Sequence, residues 1–121
     1  MTAKEKATAL HGKGYNCAQS GLMSMGGVTG LNEATAASVA CGFGGGAGCR
    51  ELCGALSGAI MAVGLKYGAE NRPEVNAADR EIVTAFRDKF GAVRCADLKA
   101  AKISCDDVIA FAAEKADELL K

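Results

Sequence analysis

The segment Cys41–Leu65, CGFGGGAGCRELCGALSGAIMAVGL, sets the architecture of this chain. It opens with a glycine-rich loop, Gly42–Gly48, and continues into the longest apolar run of the sequence. The pattern predicts that the loop leads into a helix over about 50–67, with Cys53 in the first turn. Unpaired N–H groups at a helix N-terminus favour a thiolate, the reactive form of cysteine. The first hypothesis is therefore a redox or ligand cysteine with a lowered pKa at the start of a closely packed helix.

Small residues recur within this predicted helix, where Gly54, Gly58 and Ala62 follow one another at intervals of four. Such a row lets a second helix approach closely, which compensates a cost of about 1 kcal/mol for each helical glycine. The preceding loop lacks the strand and the spacing of a dinucleotide fingerprint, and no Gly-Lys-Ser/Thr follows it. We therefore interpret the glycines as turn and packing residues, and the helix as the centre of the fold.

The remaining sequence also favours helices. Alanine is abundant, the chain has a single proline, and the alternation typical of β-strands is almost missing. Good N-cap residues precede several segments, and Ser104 with Asp107 matches a capping box. The helices predicted besides the central one cover 3–11, 17–25, 33–41, 77–90 and 105–120, with Cys95 on a turn or short helix.

The fold prediction is all-α, a single compact bundle of about six helices around the small-residue helix at about 50–67. Residues 69–76 form a polar connection in this interpretation. No internal repeat or composition boundary divides the chain, so we expect one helical domain over 1–121. A chain of this length buries roughly two-thirds of its unfolded surface, which is enough for one core.

Composition and charge exclude several classes of function. The 14 basic residues balance the 14 acidic ones, so there is no electrostatic footprint for nucleic acid or an anionic membrane. The most apolar run, Cys53–Leu65, is shorter than the ~20 residues that a membrane span needs. The polar start Thr2–Lys6 does not resemble a signal peptide. We therefore expect a soluble, cytoplasmic protein whose cysteines serve catalysis, redox sensing or metal binding.

The chain has 6 cysteines, and three of them are predicted at helix starts. Cys17 follows the cap residue Asn16, and Cys105 follows the cap residue Ser104. Cys53 lies just after the glycine loop, and the positive end of a helix promotes thiol ionisation at all three places. This repeated placement indicates reactive thiols rather than scattered core residues.

The other polar candidates give weaker signals. Cys41, at the end of an alanine-rich helix, fits a small buried hydrophobe, and Cys49 is placed in the loop. No C-x-x-C pair occurs, which argues against a zinc finger and the thioredoxin motif. The only imidazole, His11, is interpreted as a solvated surface residue, so a Cys-His hydrolase is not expected. A four-thiolate site assembled from distant cysteines, including an iron–sulfur cluster, stays open.

The order of these motifs resembles the C_GCAxxG_C_C family, whose members are described as redox-active. The resemblance covers roughly residues 12–110 and contains YNCAQ, then GFGGGAG, then CGALSG, then two spaced cysteines. The family core Cys-Gly-Ala-x-x-Gly stands here as Cys53–Gly58. Since family members are often encoded near transporter genes, the resemblance also implies an association with a transport system. It implies that the four characteristic cysteines are Cys17, Cys53, Cys95 and Cys105.

The leading hypothesis is a thiol–disulfide redox protein, using exchange or electron transfer through paired cysteines. In it Cys53 is the attacking thiolate, and one of the other three family cysteines resolves the mixed disulfide of a redox partner protein or small thiol. No cofactor is required for this chemistry. The alternatives are a metal or iron–sulfur module that uses the same four cysteines, and a non-enzymatic helical domain with structural disulfides.

Overall fold

The computed structural model describes residues 1–121, which form eight helices and no β-sheet. The all-α prediction is confirmed, and the helices beyond the expected six are the short α3 and α7. The helices are α1 (Ala3–Gly12), α2 (Cys17–Met23), α3 (Gly26–Thr29), α4 (Glu33–Ala40), α5 (Gly54–Tyr67), α6 (Arg72–Phe90), α7 (Cys95–Ala100) and α8 (Cys105–Leu120).

Side-chain caps fix the start of several helices. Thr2 and Asn16 each accept a hydrogen bond from the third helical amide and form full capping boxes. Asn32 accepts from the N–H of Thr35 at the start of α4, without the reciprocal bond. At α8, the side chain of Ser104 accepts from the N–H of Asp106 at 3.2 Å. The predicted reciprocal bond from Asp107 is not formed, so that capping box is wrong although the helix start is correct.

Two predicted boundaries are wrong, and the backbone shows why. Arg50 was expected to begin the central helix, but it has φ 62°, so the chain is still in the loop. Helix α5 begins at Gly54, and Cys53 is its N-cap with φ −52° and ψ 130°. Helix α6 begins at Arg72, before the predicted residue 77. Pro73 is favourable in the first turn, because the N–H groups there have no partner within the helix and the lack of one costs nothing.

Helix α5 lies at the centre and packs directly against the backbone of α2. A Cβ placed on Gly58 would lie 2.8 Å from the carbonyl oxygen of Ala18 and 3.2 Å from the amide of Leu22. Gly21 of α2 faces the same contact, since a Cβ there would lie 3.7 Å from the carbonyl of Ala55. The small-residue interpretation is therefore confirmed, because only hydrogen at Gly58 permits this approach of the two helices.

The core is one cluster of 24 buried residues, to which α5 contributes a continuous apolar strip. Helices α6 and α8 close the core with an aromatic group, Phe86, Phe90 and Phe111, whose ring centroids are 4.9 to 6.2 Å apart. None of the helices combines the length and the apolar character that crossing a membrane would require.

Candidate functional site

Four cysteines line one cavity of about 190 Å³ between the helix starts. Three of them are the first residues of α2, α7 and α8, and the fourth is the N-cap of α5. The fold therefore brings together residues that are up to 88 positions apart in the chain (105 − 17). The four thiols are those of Cys17, Cys53, Cys95 and Cys105.

A short antiparallel bridge positions two of these thiols. The N–H of Cys53 donates to the carbonyl of Val93 at 2.9 Å. The N–H of Cys95 donates in turn to the carbonyl of Glu51 at 2.7 Å. An exposed ion pair between Arg94 Nε and Glu51, 3.3 Å long, spans the same bridge. Cys53 and Cys95 each follow one residue of the bridged pair Leu52–Arg94, and because side chains alternate along paired segments, both point to the same face of the bridge.

The glycine loop closes over this bridge and the start of α2. Gly46 has φ 66°, and a Cβ there would lie 2.9 Å from the Cβ of Cys95. Gly44 packs so closely on the side chain of Asn16 that any Cβ would overlap it. Asn16 Nδ2 also donates to the carbonyl of Cys41 at 2.9 Å. The loop is thus a tight turn that holds the cysteines in place, in agreement with the sequence interpretation.

Cys17 and Cys53 are neighbours across the contact between α2 and α5. The Sγ of Cys17 lies against the Cα of Gly54, and a Cβ on that glycine would overlap the sulfur. Negative charge on Cys17 or Cys95 disfavours a thiolate at Cys53, which places these two sulfurs within electrostatic reach of the Cys53 sulfur. The glycine of the Cys-Gly-Ala core is therefore required for space, because it leaves room for the partner thiol.

The expected low pKa of Cys53 is wrong. Burial raises the pKa of this thiol to about 11, because a thiolate would lose its hydration in a site that is only 4% exposed. The N–H groups of Ala55 and Leu56 at the start of α5 point at the sulfur and lower the pKa, as the helix-start argument requires. Their effect is smaller than that of burial, so Cys53 holds its proton at neutral pH.

Exposure separates the six cysteines into classes. Cys53 and Cys95 are buried, whereas Cys17 and Cys105 are half-buried at the cavity wall. Cys41 was predicted to be a buried hydrophobe, but it is exposed because α4 ends at Ala40 and the chain turns away. Cys49 is also exposed, with its thiol 3.6 Å from a loop carbonyl. The half-buried thiols are the ones that a small molecule in the cavity can reach.

His11 is a cavity residue that the sequence interpretation missed. It was predicted to be solvated, yet its side chain is only 31% exposed and lines the cavity with the four thiols. Its Nδ1 lies 2.6 Å from Oδ1 of Asp106, the residue after Cys105. The two residues are 95 positions apart, so no local spacing could have paired them.

The positions of the cysteines can be compared with the two alternative hypotheses, a metal or iron–sulfur module and a domain with structural disulfides. No group of three or more His, Cys, Asp or Glu side chains is placed so that it could hold a metal ion, although four thiols line the cavity. The geometry therefore gives no support to the four-thiolate metal module. All six cysteines are free thiols in the structure.

Comparison with known proteins gives one family. The family model described as "Putative redox-active protein (C_GCAxxG_C_C)" matches residues 15–119, nearly the whole chain. No curated protein and no solved structure matches the sequence.

Proposed function

The chain belongs to the C_GCAxxG_C_C family, and from this membership and the shared thiol cavity we propose that it carries out thiol–disulfide exchange with a small disulfide. The observation that carries the proposal is the convergence of four thiols on one cavity of about 190 Å³. Disulfide exchange requires an accessible thiol next to a second thiol that can resolve the mixed disulfide. The cavity contains both an accessible thiol and a neighbouring thiol.

The environments of the thiols support a different role for each. Cys17 is half-buried and borders Cys53, so in this proposal it is the attacking thiol. Cys53 is its neighbour and keeps its proton until the attack, so it is the resolving thiol. The order is thus the reverse of the one expected from the sequence, in which Cys53 attacked first. Cys95 also lies within electrostatic reach of Cys53 and offers a second pairing.

The chemistry balances as a two-electron oxidation of the protein. The Cys17 thiolate attacks one sulfur of the substrate R–S–S–R, forms a mixed disulfide and releases R–S⁻, which takes up a proton. Cys53 then attacks the Cys17 sulfur of the mixed disulfide, forms the Cys17–Cys53 bond and releases the second R–SH. Two cysteine thiols become one disulfide, and the substrate becomes two thiols.

The cavity walls favour a small substrate. Leu98, Ile103 and Val108 supply apolar surface, and Lys99 is the only permanently charged side chain in the lining. Because the attacking thiol of Cys17 is only half-buried and lines a cavity of about 190 Å³, a small disulfide fits the site better than the disulfide of a folded protein. We expect the reaction in a reducing compartment such as the cytoplasm, where free thiols persist.

Single cysteine variants and glutathione disulfide test the proposal. The reduced wild-type protein is expected to release two glutathione thiols per chain and to gain a Cys17–Cys53 disulfide, seen by peptide mass mapping. Cys53→Ser should stop at a mixed disulfide on Cys17, and Cys17→Ser should lose exchange by at least about 100-fold, because the accessible thiol is gone. Cys49→Ser, which changes an exposed loop thiol, is the matched control and should react like the wild type.

Unchanged exchange in both cavity variants would refute the proposal. Metal analysis and an absorption spectrum of the same anaerobically purified sample add a second criterion. Stoichiometric iron or zinc that is lost in Cys17→Ser and Cys53→Ser but kept in Cys49→Ser would identify a metal module instead.

A further inference from the structure

A histidine–carboxylate pair stands at the edge of the thiol cavity. His11 lies in the last turn of α1, and Asp106 lies in the first turn of α8. The Nδ1–Oδ1 distance of 2.6 Å is short for a hydrogen bond between these groups, and the two helices pack against each other along their length. His11 lines the cavity together with the four thiols, so the pair belongs to the same site.

The hydrogen bond determines what the imidazole can do. A carboxylate that accepts from Nδ1–H fixes that tautomer and leaves Nε2 as the basic nitrogen of the ring. The carboxylate also stabilises the imidazolium that forms when Nε2 takes a proton. A ring oriented in this way is suited to accept a proton from a thiol and to return it to a leaving group.

We infer that His11, oriented by Asp106, is the proton acceptor for the half-buried cavity thiols Cys17 and Cys105. The inference rests on the proposed thiol exchange and adds a residue to it. The S–H proton of the attacking cysteine passes to Nε2, and the resulting thiolate attacks the disulfide. The released R–S⁻ then takes the proton from Nε2, so the histidine returns to its starting form.

Few other charged groups act on the histidine. Of the helices that pack on α1, α2 has no charged side chain, and α8 brings Asp106 and Asp107 in its first turn. Asp107 lines a separate surface depression with Lys4, away from the thiols. Lys99 of α7 is the one permanent cation in the cavity lining. Asp106 is therefore the carboxylate that orients the ring, and Asp107 is its natural control.

The test compares His11→Gln and Asp106→Asn with Asp107→Asn, each folded as judged by circular dichroism. Two rates are measured against pH: exchange with glutathione disulfide, and alkylation of Cys17 and Cys105 by iodoacetamide, read by mass mapping. His11→Gln should slow exchange on the order of 100-fold at pH 7. It should also change the shape of the rate–pH profile, because the proposed proton acceptor is gone. Asp106→Asn should show a smaller loss of the same kind, and Asp107→Asn should match the wild type.

The two readouts separate failure of this inference from failure of the proposed function. If exchange depends on Cys17 but both pH profiles are unchanged in His11→Gln, the histidine has no such role and the function stands. If alkylation slows in His11→Gln while the wild type exchanges no disulfide, the proton acceptor stands and the proposed reaction is wrong. Equal losses of exchange rate in Asp106→Asn and Asp107→Asn would show that only the negative charge at the start of α8 matters. That result would overturn the inference.

Discussion

The cysteines of the cavity and those of the glycine loop differ in environment although some are close in sequence. Cys49 and Cys53 are four residues apart, yet the first is exposed and the second is 4% exposed. A helix would have put them on one face. The chain instead turns through Arg50 at φ 62° and then pairs with the segment before α7, so the two thiols face different surroundings. Position relative to the bridge, rather than spacing, decides which cysteine belongs to the site.

Alkylation of the native protein should separate the two groups most widely. Cys41 and Cys49 should react with iodoacetamide at least about 100-fold faster than Cys53 and Cys95, because buried thiols react only after local opening of the structure. Cys17 and Cys105 should fall between them. Mass mapping of peptides against time gives each rate, and the six rates should converge in denaturant. Fast labelling of Cys53 in the folded protein would contradict the assignment of roles.

The next prediction concerns the packing that keeps the cavity thiols buried. Gly58→Ala should lower the free energy of unfolding by about 2–3 kcal/mol, because its Cβ would press on the backbone of α2 at 2.8 Å. Gly64→Ala is the control in the same helix, where a Cβ would meet nothing within 4 Å. It should raise the free energy of unfolding by up to about 1 kcal/mol, since alanine is the better helix former.

Denaturant unfolding of both glycine variants measures these effects, and alkylation connects them to the comparison of the two thiol groups. Gly58→Ala should speed the labelling of Cys17 and Cys53 and leave Cys49 unchanged. Equal destabilisation by Gly58→Ala and Gly64→Ala would mean that the close approach of α2 and α5 does not hold the cavity together.

The features that the sequence predicts correctly are local ones. Cap residues such as Asn16 and Ser104 mark helix starts, because the hydrogen bond of a cap joins a side chain to an amide only two or three residues away. The row that includes Gly58 predicts close packing because only small side chains permit it. The all-α fold follows from many such signals along the chain.

The features that the sequence cannot predict are set by contacts between distant segments. The prediction of a low pKa for Cys53 takes only the helix start into account. The burial that raises this pKa depends on elements from the whole chain. The left-handed Arg50 breaks a helix that its composition favours. His11 and Asp106 meet only because α1 packs on α8. The cysteine set was identified through the family resemblance, and its assembly into one cavity depends on these same long-range contacts.

A further effect, about 1.4 kcal/mol for each pH unit, is a pH dependence of stability that belongs to Cys53 alone. In the unfolded chain this thiol ionises near its ordinary pKa of 9.0, and in the folded protein burial raises the pKa to about 11. At neutral pH the thiol is protonated in both states, so its contribution to stability is fully present. Between these two values the unfolded chain has lost the proton and the folded protein keeps it. The free energy of unfolding should therefore fall by about 1.4 kcal/mol per pH unit, or about 2–3 kcal/mol in all.

Denaturant unfolding at intervals from pH 7 to pH 11, compared among wild type, Cys53→Ala and Cys49→Ala, measures this difference. The other ionisable groups are common to wild type and Cys53→Ala, so their contributions cancel in the comparison of slopes, and Cys49→Ala controls for the loss of a thiol. Cys53→Ala should show the shallower slope even if removal of the buried sulfur lowers its stability at neutral pH. Cys49→Ala should follow the wild type, because an exposed thiol meets water in both states. Parallel curves for all three proteins would mean that Cys53 ionises as easily in the cavity as in solution, and the attacking and resolving roles would then have to be exchanged.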